Sequence, residues 1–240
     1  SYQSLFLKAY FPLEYMVATI NNFGGFYTTE VYVHEARMHG ANIHPPCVNK
    51  SRHEAVIYKK DIYLGFMFLQ SFESKSSEKI LNERKNGIFL SLDDFIERVP
   101  MSIEQISILI KIDAFRFTGR NKKELLWEAH VKIKKIAFDA PKLSLFSTER
   151  VTYKTPDLPT TALEDAFDQM ELIGYPLCNP FHLLVDRFVH PLRAKHLNKL
   201  IGKVVTIDGY LVTSRKVKTS NHQLMYFGNL IDYDGYFVDT

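Results

Sequence analysis

Cysteine is scarce in this 240-residue chain, with only Cys47 and Cys178 present. Two thiols so far apart give neither a disulfide framework nor a zinc knuckle by themselves, and a reducing, cytoplasmic setting is the default expectation. Long apolar runs are also missing. A stretch such as Ile62–Leu69 falls well short of the roughly 20 residues a bilayer-spanning helix needs, and the opening residues do not read as a signal peptide. An excess of one sign of charge is nearly absent: 30 Lys and Arg against 27 Asp and Glu leave a formal net charge of +3. That mild excess permits a nucleic-acid partner without arguing for one. The chain opens on Ser1 and closes on Asp239-Thr240 inside what reads as a strand, so a piece of something longer is expected.

Catalytic constellations are missing as well. No Gly-rich phosphate cradle, G-x-S-x-G or paired-Cys motif occurs. His34, His39, His44 and Cys47 form the one metal-like group, but residues five apart on a helix point about 140° away from each other. Zinc helices use i, i+4 or similar spacings, so surface histidines are the simpler reading. Asp93-Asp94 sit where a helix begins and complement its dipole. Asp232 and Asp234 sit at a hairpin. No catalytic residue and no metal ligand is expected in this chain.

What is present is ample core material, with 46% hydrophobic and 13% aromatic residues, and clear punctuation. Tyr2 to Asn22 carries apolar residues at helical spacing, interrupted by Pro12, which predicts two helices or one kinked helix. A further helix is expected from about Thr28 to His39, with Gly40 as its C′ residue. Pro45-Pro46 mark an extended connector. From Asp61 to Trp127 the chain reads as several short helices, each with a start signal: Ser91 with Asp94, then Ser102 with Gln105 as a capping box. Gly87 and Gly119 are stops. A basic amphipathic helix should follow from about Asn121 to Lys135. Thr161 and Glu164 cap another helix through about Ile173, and Phe181 to Lys199 reads as helical around Pro191.

From Ile201 the period changes to two, over Val205 to Thr213 and Leu224 to Ile231, and Asp234-Gly235 is a hairpin signal. The fold class expected is mainly α, a helix-hairpin-helix bundle, followed by a partial β meander of the OB-fold kind. Tyr226 and Phe227 are adjacent on a strand, so one should face outward and the other inward.

Basic residues concentrate after Phe115. Arg116, Arg120, Lys122 and Lys123 lie at a glycine-containing turn opening a helix, where backbone N–H groups and cations can meet a phosphate together. A solvated helix face explains the same pattern equally well. In the meander, Arg215, Lys216 and Lys218 can track phosphates and Tyr226 can stack on a base. The Pro-flanked segment around Lys142-Leu143-Ser144-Leu145-Phe146 offers large apolar side chains that can dock into a partner's pocket.

Several ordered blocks carry a family likeness. SYQSLFLKAYFPLEYMVATINN, YVHEARMHGANIHPPCVNKS, FLSLDDFIERV, IKIDAFRFTGRNKKELL, ALEDAFDQMELIGYPL and the closing GYLVTSRKVKT…MYFGNLIDYDGYFVDT resemble consecutive blocks of the bacterial DNA polymerase III alpha subunit. The FGGFY and MYFG wording is similar to the shorter alpha-subunit type of Bacteroidetes-like bacteria. The resemblance implies four parts: residues 1–45 as the end of the fingers, 46–136 as a helix-hairpin-helix domain, 137–200 as a clamp-motif linker with connecting helices, and 201–240 as the start of an OB-fold. It implies DNA-templated DNA synthesis with Mg²⁺ by a parent enzyme whose catalytic aspartates lie outside this segment. It also implies that the segment binds duplex DNA and the sliding clamp (the beta subunit), the latter through Lys142, Leu143, Ser144, Leu145 and Phe146, in the company of other replicase subunits. The family's glycine-rich hairpin turn corresponds here to Leu69-Gln70-Ser71-Phe72-Glu73, without glycine. An error-prone polymerase of the same family and a stand-alone helical and OB nucleic-acid-binding module are the alternatives.

Overall fold

The computed structural model describes residues 2–23, 27–138, 160–185, 189–219 and 222–240, with side chains in the long helix described through residue 133. The chain divides into two compact units, each assembled from separated segments. One comprises residues 1–44, 57–62 and 175–240, the other residues 45–56 and 63–174.

The first unit opens with α1 (Tyr2–Tyr10) and α2 (Pro12–Asn21), broken at Pro12, which takes the first helical position of α2. Proline is tolerated there because its missing N–H would have no intrahelical partner. Helix α3 (Thr29–Met38) packs on α2, and Gly40 follows it at φ +85°, where a left-handed residue ends the helix without steric cost. Met16, Val17 and Ile20 of α2 and Val31, Val33 and Ala36 of α3 are buried. A small sheet is formed by β1 (Asn42–His44), β2 (Val56–Tyr58) and β3 (Asp61–Tyr63), in the order β1-β3-β2; β1 falls in the expected extended connector, and β2 and β3 follow it.

The C-terminal meander also lies in this unit. Strands β4 (Tyr210–Lys218), β5 (Leu224–Ile231) and β6 (Phe237–Asp239) pair antiparallel in sequence order. The strand begins at Tyr210 rather than at Val205, and the register shifts between Leu211 and Thr213. Such a shift marks a bulge and a local bend. Val212, at the shift, is buried with Val31 and Ile231, flanked by Tyr210 and Phe237. The helix expected over Phe181 to Lys199 is instead two 3₁₀ pieces, Pro180–Leu183 and Ala194–Lys199. Pro191 lies between them, and its lack of an N–H together with its restriction of the preceding residue prevents a continuous helix.

The second unit is a helical bundle: α4 (Ser74–Glu83), α5 (Leu92–Arg98), α6 (Ile103–Lys111), α7 (Lys122–Phe138) and α8 (Ala162–Ile173). Its starts are those written in the sequence. Ser91 accepts from the Asp94 N–H, Ser102 accepts from the Gln105 N–H, and Thr161 with Glu164 forms a complete capping box. Phe89, Phe95 and Phe115 are fully buried and stack edge to face with centroids 5.0 Å apart at each step. Gly65 is a close-approach position. A Cβ there would lie 2.2 Å from the His53 carbonyl oxygen, in a stretch where the N–H groups of Phe66 and Met67 donate to Arg52 and His53. The sequence expectation of a mainly helical bundle followed by a β meander stands, with its sheet starting later than the alternation implied.

Candidate nucleic-acid interface

The basic residues that sequence spacing singles out fall into two chemically different groups. Those before α7 are used within the second unit. Arg116 follows a left-handed Asp113 (φ +63°), and its guanidinium donates to the carbonyls of Pro45, Pro46 and Asp113 at 3.0–3.1 Å while lying over the Tyr63 ring. Lys50 caps the same ring, donating to the Tyr63 hydroxyl at 2.9 Å. Lys122 is 8% exposed, with its ammonium 2.5 Å from Asp165, 2.6 Å from Asp168 and 3.0 Å from the Lys111 carbonyl. Burial alone lowers the pKa of this ammonium, but the two carboxylates more than reverse that and leave it raised. Lys123 pairs with Glu164 at 3.0 Å, and Arg120 reaches Glu124 and Glu128.

The helix start itself is closed. Asn121 Oδ1 accepts from the Lys123 N–H at 2.8 Å and from the Thr160 hydroxyl at 2.8 Å, occupying the position that an anion would take at the N-terminus of α7. This turn is thus an ionic seam between α7 and α8. Other arginines of the unit serve likewise. Arg84 donates to the carbonyls of Val48 and Ser51, and Arg98 donates to those of Glu83 and Gly87 and stacks over Phe89.

The meander's cations are differently placed. Strand β6, continued by Thr240, pairs with Gly228–Ile231 of β5, so among the described residues the far half of β4–β5 is a two-stranded ribbon. Lys216 lies directly across from Tyr226 and Lys218 across from Leu224, while Arg215 opposes Phe227. Strand alternation puts Lys216, Lys218 and Tyr226 on one face and Arg215 and Phe227 on the other. The Lys216 ammonium sits 5.7 Å from the Tyr226 ring centroid. Arg215, Lys216 and Lys218 are exposed, and Lys216 and Lys218 make no ion pair among the described residues. Tyr226 is 61% exposed and Phe227 48% exposed. The expectation that one of this pair would be buried is corrected: beyond the reach of β6, both faces of the ribbon meet solvent among the described residues.

At the other end of the ribbon the meander is anchored. The buried Asp232 accepts from the Ala194 and Tyr236 N–H groups at 2.8 and 2.9 Å, and Asp234 pairs with Arg193 and Lys195. Hydrogen bonding from Lys195 holds the Asp234 carboxyl below the usual range. Both aspartates therefore do the structural work a hairpin requires. His34 is buried on α3 beside Glu30 and Arg37, and His44 pairs with Asp61. No group of three or more metal-type side chains is assembled among the described residues. Lys142, Leu143, Ser144, Leu145 and Phe146 lie outside the described residues.

A family model described as a helix-hairpin-helix motif matches residues 40–125. The DNA polymerase III subunit alpha of Aquifex aeolicus is 27% identical over 240 residues, covering 98% of this chain and 20% of its own length. Over that span the chain is similar to one segment of this alpha subunit. An error-prone DNA polymerase of Vibrio parahaemolyticus is similar over almost as much, 27% identical across 90% of this chain and 21% of that protein. An error-prone DNA polymerase of Mycobacterium tuberculosis is 35% identical over 108 residues, 44% of this chain and 10% of that protein. The chain thus spans about a fifth or less of the length of these relatives. The resemblance read from the ordered blocks is borne out, with a DNA polymerase III alpha subunit and error-prone DNA polymerases both among the relatives.

Proposed function

We propose that this chain is a DNA-holding, non-catalytic segment of a DNA-templated DNA polymerase of the alpha family, working in the cytoplasm in a parent enzyme that uses Mg²⁺. The four-part division, with fingers to residue 45, helix-hairpin-helix to 136, linker to 200 and the start of an OB-fold beyond, is retained as part of this reading. The exposed ribbon is the observation that carries the DNA contact. Arg215, Lys216 and Lys218 supply phosphate partners, and Tyr226 supplies a stacking face beside them, the pairing that strand-tracking surfaces use. Arg116 and Lys122 serve the bundle instead, and Arg120 and Lys123 add at most a weak electrostatic contribution, because carboxylates already accompany them.

Base stacking on Tyr226 should contribute about 1–3 kcal/mol. Tyr226→Ala is therefore expected to weaken binding to a single-stranded oligonucleotide about tenfold in fluorescence anisotropy, with an unchanged salt slope. Wild-type affinity in that variant would reject the ribbon as a stacking surface. We further propose that Lys142–Phe146 binds the sliding clamp, with Leu145 and Phe146 entering an apolar pocket. Calorimetry should show Leu145→Ala with Phe146→Ala losing affinity for the cognate clamp, and equal affinity would dispose of the assignment.

A further inference from the structure

The turn Gln70–Glu73 enters α4, and several of its backbone groups are bonded within the second unit. The Gln70 N–H donates to the Leu172 carbonyl at 2.8 Å. The Glu73 N–H donates to Gln105 Oε1 at 2.8 Å, and Gln105 Nε2 donates to the Ser71 carbonyl at 2.9 Å. Gln105 is 6% exposed, and its side chain spans 32 and 34 residues of sequence to make this pair of bonds. A capping box would have sent the carboxamide back to the Ser102 N–H. Here it is committed elsewhere.

Ser71 holds φ +60°, a left-handed conformation that a serine keeps only when its surroundings fix it. Phe72 is half-buried, 5.8 Å from the Phe66 ring. At the rim of the turn Glu73 and Lys75 are both exposed.

We infer that this hairpin is a sealed structural joint and not a phosphate contact, and that Gln105 is the positioning residue that seals it. A phosphate at this turn would need N–H donors facing outward. Three of the turn's N–H groups have described partners, Gln70 on α8, Glu73 on α6 and Phe72 on the Leu69 carbonyl at 3.4 Å, and none of these three is turned outward. The carboxamide satisfies one donor and one acceptor of the turn at once, which holds Ser71 in a conformation that glycine would adopt unaided. The joint thereby ties α4 to both α6 and α8. The inference goes beyond the DNA-binding reading and does not depend on it for its geometry.

Hydrogen exchange on the full 240-residue chain tests it, with and without a saturating single-stranded or duplex oligonucleotide. In the free wild type the Gln70 and Glu73 amides should exchange slowly, and added DNA should leave Ser71–Lys75 unchanged while slowing exchange in the ribbon. In Gln105→Ala the Glu73 amide should exchange at least tenfold faster. The Gln70 amide, held by Leu172, should change by less than threefold, and DNA affinity should stay within twofold. Slowing at Ser71–Lys75 on DNA addition would overturn the inference, as would unchanged Glu73 exchange in Gln105→Ala. DNA that slows exchange nowhere would reject the proposed function, leaving the joint to be judged on the Glu73 amide alone.

Discussion

At the scale of single residues, the partner of a side chain decides its role more than its type does. Lys122 and Lys216 are both lysines in basic stretches, yet one is enclosed by Asp165, Asp168 and the Lys111 carbonyl while the other lies exposed over Tyr226. Removing one member of an enclosed ion pair leaves its partners uncompensated, a cost of up to about 3–5 kcal/mol when burial is complete. Asp165 is 45% exposed at its side chain, which tempers that figure. We expect Lys122→Met to lower the stability of the chain by about 2 kcal/mol in urea unfolding, with DNA affinity of the folded protein unchanged. A loss of affinity with no loss of stability would show that Lys122 meets phosphate after all. The sequence pattern around Lys122 could not separate these outcomes, because the carboxylates that hold it lie more than 40 residues further along the chain. Gln105 was legible as a helix-start residue through S-x-x-Q, but its partners Ser71 and Glu73 were not. Gly65 carried no local signal, since the backbone it must admit belongs to His53 and Glu54.

At the scale of elements, start and stop chemistry was readable and length was not. The caps at Ser91, Ser102 and Thr161 act over three residues, so they appear in sequence as they do in space. The start of β4 depends instead on where β5 ends, and the alternation from Val205 continued past the last available pairing partner. Between α3 and β4 a buried contact links the two parts of the first unit. The Tyr210 hydroxyl is hydrogen-bonded to Glu30, a residue only 9% exposed and 3.5 Å from His34. Burial first, and then the Glu30 charge and this hydrogen bond, push the tyrosine up to about 12 from its ordinary 10.0. The folded state therefore favours the protonated phenol. Its stabilising contribution is complete below pH 10 and is lost as pH rises from there to about 12. Chemical denaturation across that interval should show a fall in stability that is shallower in Tyr210→Phe. An identical slope in the two proteins would mean that the contact contributes nothing.

At the scale of the whole molecule, two compact units share the chain without either being continuous in sequence, since residues 57–62 return to the first unit before the bundle is built. Block order along the sequence revealed the family likeness, and the relatives bear it out. It did not reveal which cations face solvent, because that depends on pairings between distant segments. We propose that the exposed ribbon, rather than the turn before α7, holds the DNA. This proposal is tested most directly by the salt dependence of DNA binding, measured side by side for wild type, Lys216→Glu with Lys218→Glu, and Arg120→Glu with Lys123→Glu. Each lost phosphate contact reduces the slope of log affinity against log salt by about 0.7–0.9. The slope should be smaller by roughly two such steps in the ribbon variant, and of wild-type size in the turn variant. A wild-type slope in the ribbon variant with a reduced slope in the turn variant would contradict the proposal.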